Sequence, residues 1–276
     1  MLTWLKNLAK SKPPAAAPRS GDDSRPSNDE SGDALALKER GDAMLDAGDW
    51  PGATATYRQA LAIEPGIVGI WSNLGLSLMQ QGLLDDAAQA AGRALALDAA
   101  SLNAHYILGT VFQRLGRATE ALDHFRQAAA IHPGFAEAFE SIGNILTDLG
   151  DNEAAANAYR RAIEIAPRAE RYCNLAGAVL ALGMREEAFS CYRRALDLAP
   201  DFNTARLCLV HQMQKACDWE NIDAHIEQVR RHVLEAPFDP DARESPFSFL
   251  ALPGATEREQ RACAEKWARE IGRAHV

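Results

Sequence analysis

Small residues recur along the middle of the chain at a spacing of about 34 residues, in five successive copies that begin at Ala34. Within each copy the same residue types stand at the same offsets. The first row is Gly41, Gly75, Gly109, Gly143 and Ala176, and the second is Gly48, Gly82, Gly116, Gly150 and Gly183. An alanine row (Ala53, Ala87, Ala121, Ala155, Ala188), a mostly aromatic row (Tyr57, Ala91, Phe125, Tyr159, Tyr192) and another alanine row (Ala60, Ala94, Ala128, Ala162, Ala195) follow. This pattern predicts two helices in each copy, joined at the second glycine.

Each row has a physical role in such a helix pair. The first glycine row and the two alanine rows mark the closest approach of the two helices, where a larger side chain would overpack the contact. The second glycine can adopt the left-handed conformation that ends a helix. Pro65, Pro133, Pro167 and Pro200 close four of the copies, because proline cannot continue a helix. The aromatic row is expected to fill the space between neighbouring copies.

These rows resemble the tetratricopeptide repeat, and the resemblance covers residues 34–200. It implies an all-α fold, a tetratricopeptide repeat superhelix (an α-solenoid) that ends in a C-terminal helical junction. A single helix pair cannot bury its own apolar face, so the copies are expected to stack and to form a concave inner surface from their first helices. Arrays of this kind usually hold another polypeptide.

The chain before the repeats carries two different signals. Residues 1–10 place Met1, Trp4, Leu5 and Leu8 on one face of a short amphipathic segment, which we interpret as a terminus rather than a membrane anchor. Residues 11–33 are rich in proline, serine, glycine and aspartate, and this composition predicts a disordered linker.

Composition narrows the possible partners and the compartment. The formal net charge of -9 argues against nucleic acid, because binding to phosphates depends on lysine and arginine. The five cysteines lack the spacing of a disulfide framework or a zinc site, which favours free thiols in a reducing compartment. No apolar run is long enough for a signal peptide or a membrane span. We therefore expect a cytoplasmic protein without a transmembrane segment.

The small-residue register is lost after a partial sixth repeat over residues 201–219. Residues 220–276 are expected to form a helical junction, with Ile222, Ile226, Val229 and Val233 at helical spacing. The repeats ending in "DF", then "CDW", an amphipathic helix and "SPFSFLALP" resemble the junction between repeats and catalytic domains in protein O-GlcNAc transferases and SPINDLY-like proteins, glycosyltransferase family 41.

This second resemblance implies a structural role for the "CDW" motif. Trp219 would seal the end of the superhelix as a lid, and Asp218 would cap the next helix. A metal-binding or nucleophilic role for His211 and Cys217 is disfavoured, because two residues without further partners do not make a site. Lone histidines such as His105, His124 and His132 are interpreted as packing or surface residues.

The same resemblance implies that sugar transfer belongs to two Rossmann-like domains that follow the junction, which use a UDP-sugar donor and no metal. We predict that this chain is the substrate-presenting arm of an inverting O-linked glycosyltransferase and stops before those domains. It would then contain no catalytic, cofactor-binding or metal-binding residue. The final "EIGRAHV" also resembles the translation of a sequencing adapter, so we expect the natural protein to continue differently.

The inner surface could carry either of two kinds of peptide site. Chaperone-binding tetratricopeptide proteins clamp a C-terminal carboxylate with lysine and asparagine. The comparable positions here are Lys38, Asp42, Asn73, Asn103 and Ile107. Asp42 would repel a carboxylate and Ile107 cannot donate a hydrogen bond to it, so this clamp is not expected.

An asparagine ladder fits the sequence better. Asn73 and Asn174 occupy the same position in their copies, and an amide can both donate to and accept from the backbone of an extended peptide. Glu39, Ile107 and Ser141 stand there in the other copies, so the ladder is incomplete, and solvated polar residues remain the alternative. The candidate peptide-binding residues are Asn73, Asn103, Ser141 and Asn174.

A second function class stays open beside the glycosyltransferase arm. The chain could be a stand-alone tetratricopeptide scaffold for protein–protein interaction, capped by its unusual C-terminal helices. Both hypotheses predict a partner polypeptide in the concave groove.

Overall fold

The computed structural model of the protein describes residues 28–218, 220, 222–235, 256–258, 260–261 and 265. Its described part contains twelve named helices and no strand. They are α1 (Asn28–Ala47), α2 (Trp50–Ile63), α3 (Val68–Gln80), α4 (Leu84–Leu97), α5 (Leu102–Arg114), α6 (Ala118–Ile131), α7 (Ala136–Asp148), α8 (Asn152–Ile165), α9 (Ala169–Ala181), α10 (Arg185–Leu198), α11 (Asn203–Ala216) and α12 (Ile222–Glu235). The fold is an all-α solenoid, which confirms the predicted fold class.

The turns within the five predicted repeats follow the glycine row. All five glycines have a φ between 73° and 82°, in the left-handed region that residues with a Cβ atom disfavour. At Gly82, the glycine N–H donates to the Met79 carbonyl and the next N–H donates to the Leu78 carbonyl, so the free carbonyls at the helix end are satisfied. The prediction for this row is confirmed.

Other helix ends also follow from local sequence. The Asp49 carboxylate accepts a hydrogen bond from the Gly52 N–H at 3.0 Å, and the Asp151 carboxylate accepts one from the Ala154 N–H at 3.1 Å. These contacts cap the first turns of α2 and α8. Each of the four prolines lies two residues beyond the last residue of a second helix, as the sequence predicts.

The small residues make room for aromatic rings within a helix pair. A Cβ atom built on Gly41 would lie 2.5 Å from Cε1 of Tyr57, and one on Gly109 would lie 2.7 Å from Cε1 of Phe125. Both rings are fully buried. In these two repeats the ring therefore packs against the first glycine of its own repeat, whereas the sequence predicts that the aromatic row fills the space between repeats. A glycine leaves a groove that only a flat ring can occupy this closely.

The chain divides into two compact units, Met1–Ile145 and Leu146–Val276. In the first unit, each helix from α2 to α5 packs against the next helix along the chain. In the second unit, α9 packs against both α8 and α10, and α11 packs against α10 and α12. This sequential packing is the arrangement that stacked helix pairs require.

The first helix begins before Ala34, the residue at which the sequence predicts the repeats to start. α1 starts at Asn28, inside the segment 11–33 that was predicted to be a linker. The predicted segment 1–10 and the linker residues up to 27 lie outside the described residues.

The sixth repeat continues further than predicted. Cys217 follows Gly183 by one repeat length and takes the place of the turn glycine, with a φ of 54°. Its N–H donates to the Gln214 carbonyl and the Asp218 N–H donates to the Met213 carbonyl, the same pattern that ends the earlier first helices. The repeat pattern of turn positions therefore continues as far as residue 217.

The helix after this turn carries the register onward. Val210 stands at the first glycine position, and Ile222, Ile226 and Val229 stand at the alanine, aromatic and alanine positions. All four side chains are buried. α11 and α12 thus form a sixth helix pair in which branched aliphatic residues replace the small and aromatic ones. The predicted division into a partial repeat at 201–219 and a helical junction from 220 stays a prediction, and α12, which lies in that junction, packs against α11.

Candidate functional site

The predicted peptide-binding residue Asn73 lies in a buried hydrogen-bond network of the first unit. It is 3% exposed, and its Nδ2 donates to Oδ1 of Asp42 at 2.8 Å. The Tyr57 hydroxyl donates to the same oxygen at 2.7 Å, and Lys38 Nζ donates to Oδ2 at 2.6 Å. The Asp42 carboxylate therefore joins α1, α2 and α3.

The electrostatics of this network hold Tyr57 in its neutral form. Burial raises the pKa of the Tyr57 phenol, and the hydrogen bond to the Asp42 carboxylate raises it further. The amide of Asn73 is thus committed to fixing the first two repeats to each other. Its predicted role in an exposed asparagine ladder gains no support from this geometry.

Asn103 and Ser141 also belong to the first unit, and both side chains are partly exposed. The Ser141 hydroxyl hydrogen-bonds to Tyr106, whose pKa is raised to about 12, chiefly by burial. Asn174 is partly exposed on α9 of the second unit. Of the four candidates, Asn103, Ser141 and Asn174 are partly exposed, and their role in binding stays a prediction.

The "CDW" motif has a clear local geometry at its first two residues. Asp218 accepts a hydrogen bond from the Glu220 N–H at 3.1 Å, in the turn that precedes α12. Cys217 is exposed at the end of α11, and His211 is exposed on the same helix. Trp219, the predicted lid, lies outside the described residues, so its role stays a prediction.

Two of the lone histidines pack against each other in the first unit. His105 is buried, and its Nε2 donates to the Ala99 carbonyl at 3.1 Å. Its Nδ1 lies 3.0 Å from Nδ1 of His124. Burial lowers the pKa of His124, and the neighbouring His105 lowers it further. His132 is exposed. These positions match the interpretation of packing and surface residues.

The described residues contain no group of three or more histidine, cysteine or acidic side chains that could hold a metal ion. Within the same part of the chain, every helix is too short or too polar to span a bilayer.

A groove that the sequence analysis missed lies between the second helices of the first two repeats. Its volume is about 390 Å³. Its lining residues are Arg58, Leu61 and Ala62 of α2, Trp71, Leu74 and Leu78 of α3, and Asp86, Gln89, Ala90 and Arg93 of α4. We call this the second-helix groove. In the sequence, the apolar lining residues follow the same pattern as the helix core. Only the spacing of the charged residues along the rim could have indicated the groove.

Tetratricopeptide repeat models match the chain without a gap from residue 41 to residue 202. The matched segments are 41–82, 72–136, 106–170 and 169–202. A comparison with curated proteins finds no match.

Solved structures with the same fold support the family models. One crystal structure of MamA is 30% identical, covers 57% of this chain and 92% of its own, and superposes with a TM-score of 0.53. YrrB, described as a tetratricopeptide protein with an unusual peptide-binding site, is 22% identical over 64% of this chain and 91% of its own, with a TM-score of 0.54. PilF of Pseudomonas aeruginosa is 15% identical over 81% of this chain and 97% of its own, with a TM-score of 0.67.

Proposed function

The chain belongs to the tetratricopeptide repeat family, and we propose that it is a scaffold that binds an extended segment of a partner protein along its first helices. The observation that carries this proposal is the unbroken run of repeats from residue 41 to residue 202. Stacked repeats present one equivalent helix face after another, and such faces suit an extended ligand.

Partly exposed polar groups on the first helices support the proposed binding face. In the first unit, Asn103 on α5 and Ser141 on α7 carry side chains that can donate to and accept from a peptide backbone, and Asn174 on α9 is considered separately because it belongs to the second unit. Backbone hydrogen bonds provide affinity in this mode, and pockets for alternate side chains provide specificity. Asn73 has a different task in this proposal, since it secures α3 to Asp42.

The finer prediction, the substrate-presenting arm of an O-linked glycosyltransferase, depends on residues from Asp201 onward. One of its motifs has a simpler explanation in the repeat register. In the repeat register, the "CDW" at 217–219 stands where the first repeat has "GDW" at 48–50, at the end of the turn that follows a first helix. The motif is therefore accounted for by a sixth repeat, and "SPFSFLALP" lies outside the described residues. The scaffold function needs no further domain and is our main proposal.

Peptide selection tests the scaffold function. An immobilised library of twelve-residue peptides is probed with the intact chain, with an Asn103→Ala and Ser141→Ala double variant, and with an Arg126→Ala control on the second helix α6. We expect the intact chain to bind a set of peptides that share a sequence pattern. Binding of these peptides should be weaker in the double variant and unchanged in the control. Binding that is equal in all three proteins would contradict the proposed face.

The same selection distinguishes the two function classes. A glycosyltransferase arm that contacts only the peptide backbone would bind many peptides without enriching any pattern of side chains. A scaffold with one partner would enrich a defined pattern of side chains.

A further inference from the structure

We propose that the second-helix groove is a separate docking site for a partner segment that carries a leucine- or phenylalanine-sized side chain beside a carboxylate. This site lies between α2 and α4, and so it differs from the first-helix face that the proposed function uses. The two proposals can fail independently, because their residues do not overlap.

The floor of the groove suits an apolar side chain. Leu74, Leu78 and Ala90 are buried at its base, and its volume of about 390 Å³ lies within the range of small ligand sites. The Trp71 ring is partly exposed in the lining, and its Nε1 donates to the Pro65 carbonyl at 2.8 Å. This hydrogen bond fixes one wall in place before a ligand arrives, which reduces the entropic cost of binding.

The rim of the groove offers positive charge from both sides. Arg58 on α2 and Arg93 on α4 are exposed, and neither makes an ion pair or hydrogen bond with another part of the described chain. Both residues line the same groove, although they stand one residue away from equivalent repeat positions. A guanidinium binds a carboxylate through two parallel hydrogen bonds, which makes a carboxylate the matching ligand group.

The second unit shows which ligand an arginine takes at this position. Arg160 occupies the repeat position of Arg58, and Glu187 occupies that of Asp86. Arg160 Nη2 lies 2.8 Å from Glu187 Oε1, and Nε lies 3.2 Å from the same oxygen. This ion pair bridges α8 and α10. In the first unit Asp86 is one methylene shorter and makes no ion pair with Arg58, which leaves the guanidinium for a carboxylate supplied by the partner.

Fluorine NMR of the full chain labelled with 5-fluorotryptophan tests the proposal. The Trp71 signal is assigned with a Trp71→Phe variant. The probe is a ten-residue acetylated peptide in which one leucine is flanked by two aspartates on each side, in a glycine–serine background. Two control peptides replace the leucine by serine or the four aspartates by lysines. We expect only the probe peptide to shift the Trp71 signal in a saturable way.

Four variants examine the charge contacts. Arg58→Glu and Arg93→Glu should each raise the Kd of the probe by about tenfold or more, since a charged hydrogen bond contributes at least that much. Asp86→Glu should also weaken binding, because it supplies the carboxylate that Glu187 supplies in the second unit. Arg126→Glu, an exposed arginine at the position of Arg58 in the third repeat, should leave the Kd within about twofold.

Several outcomes would overturn the docking site. Equal binding of the lysine or serine peptide would remove the proposed ligand chemistry, and an unchanged Kd in Arg58→Glu would remove the arginine contact. A Trp71 signal that moves with protein concentration and not with peptide would show that a second copy of the chain occupies the groove. Far-ultraviolet spectra of the variants must match the parent, which exposed positions on helices should allow.

Discussion

Gly109 and Gly92 are both helical glycines, yet their surroundings differ completely. A Cβ atom on Gly109 would lie 2.7 Å from the buried ring of Phe125, whereas one on Gly92 would meet nothing within 4 Å. Gly109→Ala should therefore lower the free energy of unfolding by about 1–3 kcal/mol through overpacking. Gly92→Ala should raise it by about 0.5–1 kcal/mol, because alanine loses less backbone entropy in a helix. Urea denaturation measures both changes, and effects of the same sign would contradict the packing described for Phe125.

Cys217 holds a backbone conformation that its side chain disfavours. Its φ of 54° is the only positive value among the described residues other than glycine, at a position where five earlier repeats have glycine. Cys217→Gly should stabilise the protein by about 1 kcal/mol, because the left-handed conformation costs a residue with a Cβ atom about that much. Cys217→Ala is the matched control, since it removes the thiol and keeps the strain. An equal gain in both variants would place the effect in the thiol instead.

At the scale of elements, the sixth helix pair shows how one packing scheme can use different residues. In repeats one and three, a glycine on the first helix receives an aromatic ring from the second. In α11 and α12, Val210 stands at the glycine position and Ile226 stands at the aromatic position. The side chain on the first helix is therefore larger than in those repeats, and the side chain on the second helix is smaller. Buried apolar surface remains the driving force, and the exact distribution of volume is adjustable.

The pair α5 and α6 contains a contact that responds to pH. Burial and the neighbouring His105 lower the pKa of His124, while Asp123 and Glu120 oppose this shift. Below the unfolded pKa of about 6.5 the unfolded chain takes up a proton that the folded state resists, so stability is lost as the pH falls through this region. His124→Gln should reduce this dependence of the urea midpoint between pH 7 and 5, and His132→Gln should leave it unchanged. A steeper loss in His124→Gln would contradict the assignment.

The sequence was informative where the structure depends on local chemistry. The five turn glycines and the four closing prolines could be predicted because each meets a backbone requirement at its own position. The burial of Asn73 could not, because its partner Asp42 comes from the preceding repeat and depends on how the helices stack. The second-helix groove could not be predicted for the same reason, because its lining comes from three helices of two repeats.

At the scale of the whole molecule, the formal net charge of -9 makes the two arginines of the second-helix groove a local exception. The net charge of the chain repels an acidic partner at long range, whereas Arg58 and Arg93 attract it at short range. Added salt screens both the long-range repulsion and the short-range attraction, and the two effects on affinity oppose each other. The affinity for such a partner should therefore depend on salt less strongly than in a uniformly basic binding protein.

Stability in a repeat array is close to a sum of terms within repeats and between nearest neighbours. The loss caused by Gly109→Ala should therefore be concentrated around α5 and α6 and should fade along the chain. Hydrogen exchange followed by mass spectrometry should show faster exchange in residues 102–131 of the variant, a smaller change in residues 68–97, and unchanged protection in residues 169–198 at low denaturant. Gly92→Ala, measured in parallel, should slow exchange mainly in residues 84–97. Equal acceleration at both ends of the array would mean that the repeats unfold as one cooperative body, because only then does a local clash reach every helix.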